Sequence, residues 1–307
     1  MSAEEYDKLF HEVSNWGRWG WNDEKGTLNF LTPEISAKSS KLVRTGKSVS
    51  MARPVDTIAS IENTSPAIHH MTRSYDITPE NDVVDIRYSA DFLACACHGC
   101  AHSHFDALCH IAYKGKLYNN RPAGIVTSQG SKMMDITQYS QGIVGRGVLL
   151  DIPRLRKVKW LEPGDAVTAE ELEAAEKAQG VKLDEGDIFV FRVGHFRRRT
   201  ELGPWDVEVE GRAGLDPKAM KLLHDRKIAA FFPDGDGEVV PSPVVSTSIP
   251  VHALQITAMG LACADSLQLE QLAEMCEKEG RWEFMSVVST LALQGGTGCL
   301  VNPIAIF

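Results

Sequence analysis

The stretch from Cys97 to His110 constrains this chain more than any other. It holds His98, Cys100, His102, His104, Asp106, Cys109 and His110 within fourteen residues. Read as an extended strand, side chains alternate between two faces. His98, Cys100, His102, His104, Asp106 and His110 then share one face with Leu108. Cys97, Gly99, Ala101, Ser103, Phe105, Ala107 and Cys109 share the other. One face is polar and suited to a divalent cation; the other is small or apolar and suited to a core. His and Asp two residues apart can bind one ion from one side of a strand.

Length and charge narrow the function classes. A chain of 307 residues can bury a substantial core. Its net charge of −9 and lack of a basic tract argue against a nucleic-acid surface. No apolar run approaches the roughly twenty residues of a membrane span. The segment Met1–Asp7 is acidic and lacks an apolar signal region, so the cytoplasm is the expected location. Seven cysteines, an odd number without a signal segment, argue against a disulfide framework. Cys97-x-x-Cys100 has no second pair to complete a four-cysteine site.

Strand and helix signals alternate along the chain with no repeat or long linker. That favours one α/β or mixed α+β domain over residues 1–307. Residues 1–30 carry Trp16, Trp19 and Trp21 among glycines and read as an ordered Trp-rich arm. The arm covers the domain's own core or reaches across to a partner subunit; the sharper alternative is that it lines a substrate pocket, with Trp19 and Trp21 as candidate substrate contacts. Thr32-Pro33 opens a helix to Leu42. Strands are expected at Val49–Ile58, Val83–Tyr88, Gly147–Ile152, Asp187–Val193, Ile228–Phe232 and Glu283–Leu293. Thr168 and Glu171 form a capping box for a helix ending near Gln179, before Gly180. Asp216-Pro217 starts a helix to Arg226, and Leu267–Glu279 is amphipathic. His69-His70 and the segment Gly194–Arg199 read as surface loops. The turn Pro233–Gly237 lacks the flanking pattern of a calcium loop.

Three or four ligands usually hold a catalytic metal. His104 and Asp106 supply two, and His98 or His102 a third from the same face. Val251-His252 and Asp265 are candidate distant ligands. Asp265 reads equally as the N-cap of the helix after it, and His252 as a buried strand residue.

These residues resemble the cyclase family of metal-dependent hydrolases, which includes bacterial kynurenine formamidases and isatin hydrolase. The family hallmark is His-x-Gly-Thr-His-x-Asp-x-Pro-x-His. His104-Phe105-Asp106-Ala107-Leu108-Cys109-His110 matches its second half, with Leu108 in place of proline. Further matches are Asn15–Trp19, Gly26–Asn29, Gly115–Asn119, Trp160–Gly164, Gly203–Trp205, Pro241–Pro243, Pro250–His252 and Gly295–Gly298.

The resemblance implies metal ligation by His104, Asp106, His252 and Asp265, with His110 as the catalytic histidine. At the family's first ligand position this chain has Cys100. Cys100 as thiolate, His98 through an altered backbone, or His102 could serve instead, and His98 is favoured. The resemblance also implies a small barrel-like sheet packed with helices, and a homodimer or homotetramer. The expected activity is hydrolysis of an amide, formamide, lactam or lactone in a small, aromatic or cyclic molecule. Water activated by Zn or Mn would attack, with His110 as general base and acid. The alternatives are a non-catalytic, metal-stabilised binding protein and cysteine catalysis by Cys109 beside His110.

Overall fold

The structure, a computed structural model, describes residues 1–76 and 86–307. Its centre is a nine-stranded mixed sheet, curled into a half-barrel and packed with helices. In chain order its strands are β1 (Ser48–Ser50), β2 (His104–Asp106), β3 (Ile143–Asp151), β4 (Ile188–Arg192) and β5 (Ala230–Pro233). Then come β6 (Ala262–Asp265), β7 (Glu283–Val288), β8 (Gly298–Leu300) and β9 (Ile304–Ile306). Across the sheet the order is β1-β9-β7-β3-β4-β5-β6-β2-β8. The four central strands β3, β4, β5 and β6 run parallel. Strands β2 and β8 extend this block antiparallel on one side, as β7, β9 and β1 do on the other.

Parallel strands need long crossovers, and helices supply them here. Ala169–Gln179 lies between β3 and β4, and His195–Leu202 and Met220–Asp225 between β4 and β5. Both faces of the central strands are therefore covered. On β4, Ile188 and Val190 enter one core with Phe105, Phe232 and Phe284, while Phe189 and Phe191 enter the other with Phe231 and Leu172. This double burial is why the segment reads as a continuous apolar run rather than an alternating one. Each fully buried side chain of this size contributes roughly 1.5–3 kcal/mol.

Local signals that need only a few residues are realised. Thr168 and Glu171 cap the Ala169–Gln179 helix reciprocally, and Gly180 ends it in a left-handed conformation. Thr32 caps Pro33–Ser39, which tightens into a 3₁₀ turn at Ser40–Leu42. The Asp216-Pro217 start gives a 3₁₀ turn and then Met220–Asp225.

Other expectations are corrected. The Cys97–His110 stretch is strand only at His104–Asp106, because only there do two neighbours, β6 and β8, flank it. Gly99 takes a φ of +112°, which turns the chain before the strand begins. The strand from Val49 stops at Ser50, since no partner continues beyond β9, and the last long strand stops at Val288. His69-His70 lies in an exposed strand, Ile68–Arg73, paired with Ala90–Ala94. The strand expected at 83–88 begins outside the described residues, and 86–88 carry no strand.

The segment Gly194–Arg199 is not a loop. It begins the His195–Leu202 helix, whose first amides Asp234 accepts from the turn after β5. Within residues 1–30, Ala3–Glu12 is a helix with Ser2 and Glu5 as its capping box. Tyr6, Leu9, Phe10 and Val13 are buried against the body, and the Tyr6 hydroxyl donates to the Pro250 carbonyl at 2.6 Å.

Candidate metal centre

Strand pairing brings distant residues together. Across β2 and β6, His104 stands opposite Asp265 and Asp106 opposite Cys263. Both strands are buried, so the position of each side chain is set by the sheet. His252 arrives from the short helix Pro250–His252, which precedes β6. His98 and His110 lie on the chain before and after β2.

The result is two trios of ligand atoms that share Asp106. In each, the atoms lie within 4.8 Å of one another: His98, His104 and Asp106 in one, Asp106, His252 and Asp265 in the other. In the first, His98 Nδ1 is 2.8 Å and His104 Nε2 3.5 Å from Asp106 Oδ1. The far nitrogens are engaged elsewhere: His104 Nδ1 with the His102 carbonyl at 2.8 Å, and His98 Nε2 with Thr297 Oγ1 at 3.0 Å. An imidazole that donates from one nitrogen presents a lone pair at the other. His98 Nδ1 and Asp106 Oδ1, though close, make no directional hydrogen bond to each other or to any other group. At 2.8 Å the ring nitrogen and the carboxylate oxygen need a positive charge between them, supplied by a proton on Nδ1 or by a cation.

Electrostatics follow from that crowding. Burial pushes the Asp106 carboxyl up, but His104, His98 and His110 hold it below the ordinary carboxylate range. Burial lowers His98, yet Asp106 and Cys97 outweigh it and the ring is pushed up to about 10. Burial, aided by the neighbouring imidazoles, brings His110 down to about 4. His252 Nε2 is 3.0 Å from Asp265 Oδ2, and its Nδ1 is 3.0 Å from Glu238 Oε1. Burial disfavours charge on His252, but the two carboxylates raise its pKa well above the ordinary value. The side chains of His98 and His110 keep 28% and 26% of their exposure, against 9% or less for the other four residues of the cluster, so solvent reaches the cluster past these two rings.

The structure thus gathers His98, His104, Asp106, His110, His252 and Asp265. Asp265 ends β6 and caps no helix, because the following helix starts at Glu270 behind Leu269. His252 sits in a helix rather than a strand. His102 is turned away to the Asp56 carbonyl, and no cysteine joins a ligand group among the described residues. The Cys109 thiol is buried in the core, and that burial raises its pKa, which disfavours the thiolate a nucleophile needs. Trp19 packs edge-on against Phe30, and Trp21 is largely exposed, its carbonyl held by Arg121. Neither is brought to the cluster among the described residues. Trp16 reaches nearer, donating from its indole to the Thr257 carbonyl beyond His252.

Sequence reasoning missed Glu238 and Thr297. Both follow glycine-rich turns, and nothing in the local pattern marks either as a partner of a distant histidine.

A family model described as "Putative cyclase" matches residues 30–235. The crystal structure of a novel cyclase is 29% identical, with a TM-score of 0.86, covering 96% of this chain and 100% of that one. An isatin hydrolase bound to the product analogue thioisatinate is 17% identical, with a TM-score of 0.58 over 89% of this chain and 96% of its own. A "predicted metal-dependent hydrolase from Bacillus stearothermophilus" is 14% identical, with a TM-score of 0.52 over 85% and 98%. The last two show a shared fold. No curated protein matches the chain.

Proposed function

Because this chain belongs to the cyclase family, we propose that it is a metal-dependent hydrolase of small carbonyl compounds, cleaving an amide, formamide, lactam or lactone. One observation carries the reading. Two trios of nitrogen and oxygen ligand atoms meet at Asp106, and His98 Nδ1 faces Asp106 Oδ1 at 2.8 Å with no well-aligned hydrogen bond between them. That donor set fits a divalent ion. Imidazole suits zinc, and the carboxylates bring manganese into range.

His98, His104 and Asp106 would hold one ion, and Asp106, His252 and Asp265 a second. A bound Zn or Mn would lower the pKa of water and polarise the scissile carbonyl. The chain's own residues supply the rest. His110 lies at the open side of the cluster, with Nε2 4.0 Å from Asp106 Oδ2. Its depressed pKa leaves it without a proton near neutrality, so it can accept one from attacking water. It would then return that proton to the leaving nitrogen or oxygen. Resemblance to isatin hydrolase supports a cyclic or aromatic substrate. The tryptophans of the N-terminal segment add no support to that choice.

The test is elemental analysis of the purified protein, wild type and Asp106→Ala, followed by a hydrolysis screen over aryl formamides, lactams and lactones. Bound zinc or manganese that is lost in the variant, with metal-dependent turnover, is the expected result. A protein that takes up neither ion after reconstitution would sink the proposal.

A further inference from the structure

Glu238 is a fully buried carboxylate outside both trios. Its Oε2 accepts the Val251 amide at 3.1 Å, and its Oε1 accepts the His252 amide at 2.7 Å. The same Oε1 lies 3.0 Å from His252 Nδ1. One side chain therefore fixes both the backbone that carries His252 and the far edge of its ring.

The position of Glu238 is itself set by its surroundings. Its amide donates to Asp236 Oδ1 at 3.1 Å, and Asp236 is gripped by Arg212 at 2.9 and 2.8 Å. Gly214 lies so close that a Cβ there would stand 2.2 Å from the Glu238 carbonyl carbon and oxygen. Only glycine lets the two backbones approach this far. The chain Arg212–Asp236–Glu238–His252 ends at Asp265, whose Oδ2 is 3.0 Å from His252 Nε2.

We propose that Glu238 is the positioning residue of the site, holding His252 as the Nδ1–H tautomer so that its Nε2 lone pair faces Asp106 and Asp265. The inference rests on the metal-hydrolase reading above. A neutral imidazole has one donor and one acceptor, and a carboxylate can only accept. Asp265 can accept from Nε2 as Glu238 does from Nδ1, but a cation held by Asp106 and Asp265 excludes the Nε2 proton, so Glu238 takes the one at Nδ1 and the free electron pair is left on the ligand side. A carboxylate behind a ligating histidine also raises the basicity of the ring. Removing such a partner typically costs about 10–100-fold in metal affinity. Glu238 would act through His252 and touch neither substrate nor ion.

The experiment titrates metal-free wild type and Glu238→Gln with zinc against a competing chelator. Folding of the variant is checked by circular dichroism. The expected result is about a 10–100-fold loss of affinity in one phase of the isotherm, with the phase belonging to His98, His104 and Asp106 retained. A folded variant with wild-type affinity overturns the inference. A second measurement needs no variant: the ¹⁵N shifts and couplings of the His252 ring in zinc-loaded wild type. A protonated Nδ1 supports the inference, and a protonated Nε2 overturns it, even if Glu238→Gln fails to fold. Wild type that binds no zinc or manganese removes the hydrolase reading and this inference together, which separates the two failures.

Discussion

His98 and His110 stack face to face, with 3.7 Å between ring centroids and 5° between their planes. Two imidazoles this close beside one carboxylate do not share protons equally. Asp106 beside His98 favours a charge on that ring, while burial and the neighbouring imidazoles disfavour one on His110. The proposed division of labour rests on this pair: His98 would bind and His110 would exchange protons.

Replacing His110 tests that division. His110→Ala should lower kcat by about 10²–10⁴-fold while metal content stays at the wild-type level. Elemental analysis beside steady-state kinetics reads both. A variant that also loses its metal would show His110 to be a ligand instead.

Chelation separates catalytic from structural metal. Three of the proposed ligands, His104, Asp106 and Asp265, stand on buried strands β2 and β6, which pack into the core through Phe105, Ala262 and Ala264. Treatment with a chelator should abolish turnover and leave the far-ultraviolet circular dichroism unchanged. Loss of helix and strand signal on chelation would favour a metal-stabilised binding protein.

Protons compete with the ion, and the sign follows from the geometry. His252 between Glu238 and Asp265, and His98 against Asp106, both hold protons more tightly than an ordinary imidazole. Metal binding must release these protons, so affinity rises with pH. Calorimetry at about pH 6 and pH 8 should show tighter binding at the higher value, with proton uptake by the buffer. Equal affinity at both would contradict the proposed ligand set.

Thr297 offers a milder test. Its hydroxyl meets His98 Nε2 at 3.0 Å, so Thr297→Val removes the group that orients the ring. About a tenfold loss of affinity in the phase assigned to His98 is expected, with the fold intact. No change in zinc titration would show that Asp106 alone orients His98.

Gly26 ties the N-terminal segment to the site region. It has a φ of +59°, and a Cβ there would stand 2.0 Å from the Gly260 carbonyl oxygen. Gly26→Ala should cost about 2 kcal/mol or more through backbone strain and collision. A fall in melting temperature of roughly 5 °C is the readout. An unchanged melting curve would mean that the segment yields without cost.

The site was legible where chemistry is dense in sequence. His104, Asp106 and His110 form one short run, and their residue types alone mark it as a candidate metal site. His98 was reachable only by resemblance, since the strand parity that singled it out also chose His102, which the turn at Gly99 sends to Asp56. Capping signals at Thr32 and Thr168 were readable because each needs only its own turn. The helix at Ala3–Glu12 was obscured by the glycines and tryptophans that follow it. Glu238 could not be found at all, because its meaning depends on a hydrogen bond to a residue fourteen positions away.

The pairing of β2 with both β6 and β8 has a consequence for biosynthesis. Among the described residues, the three-residue strand that carries His104 and Asp106 has no strand neighbour within a hundred residues on either side. Asp265 does not yet exist when β2 leaves the ribosome, and β8 is made only at residue 298. A nascent chain therefore carries its histidine-rich run without either strand partner until β6 is made. The proposed ligand set is incomplete until Asp265 is made, so an ion held by both trios would be loaded after β6 is synthesised and could not template the early folding of β2.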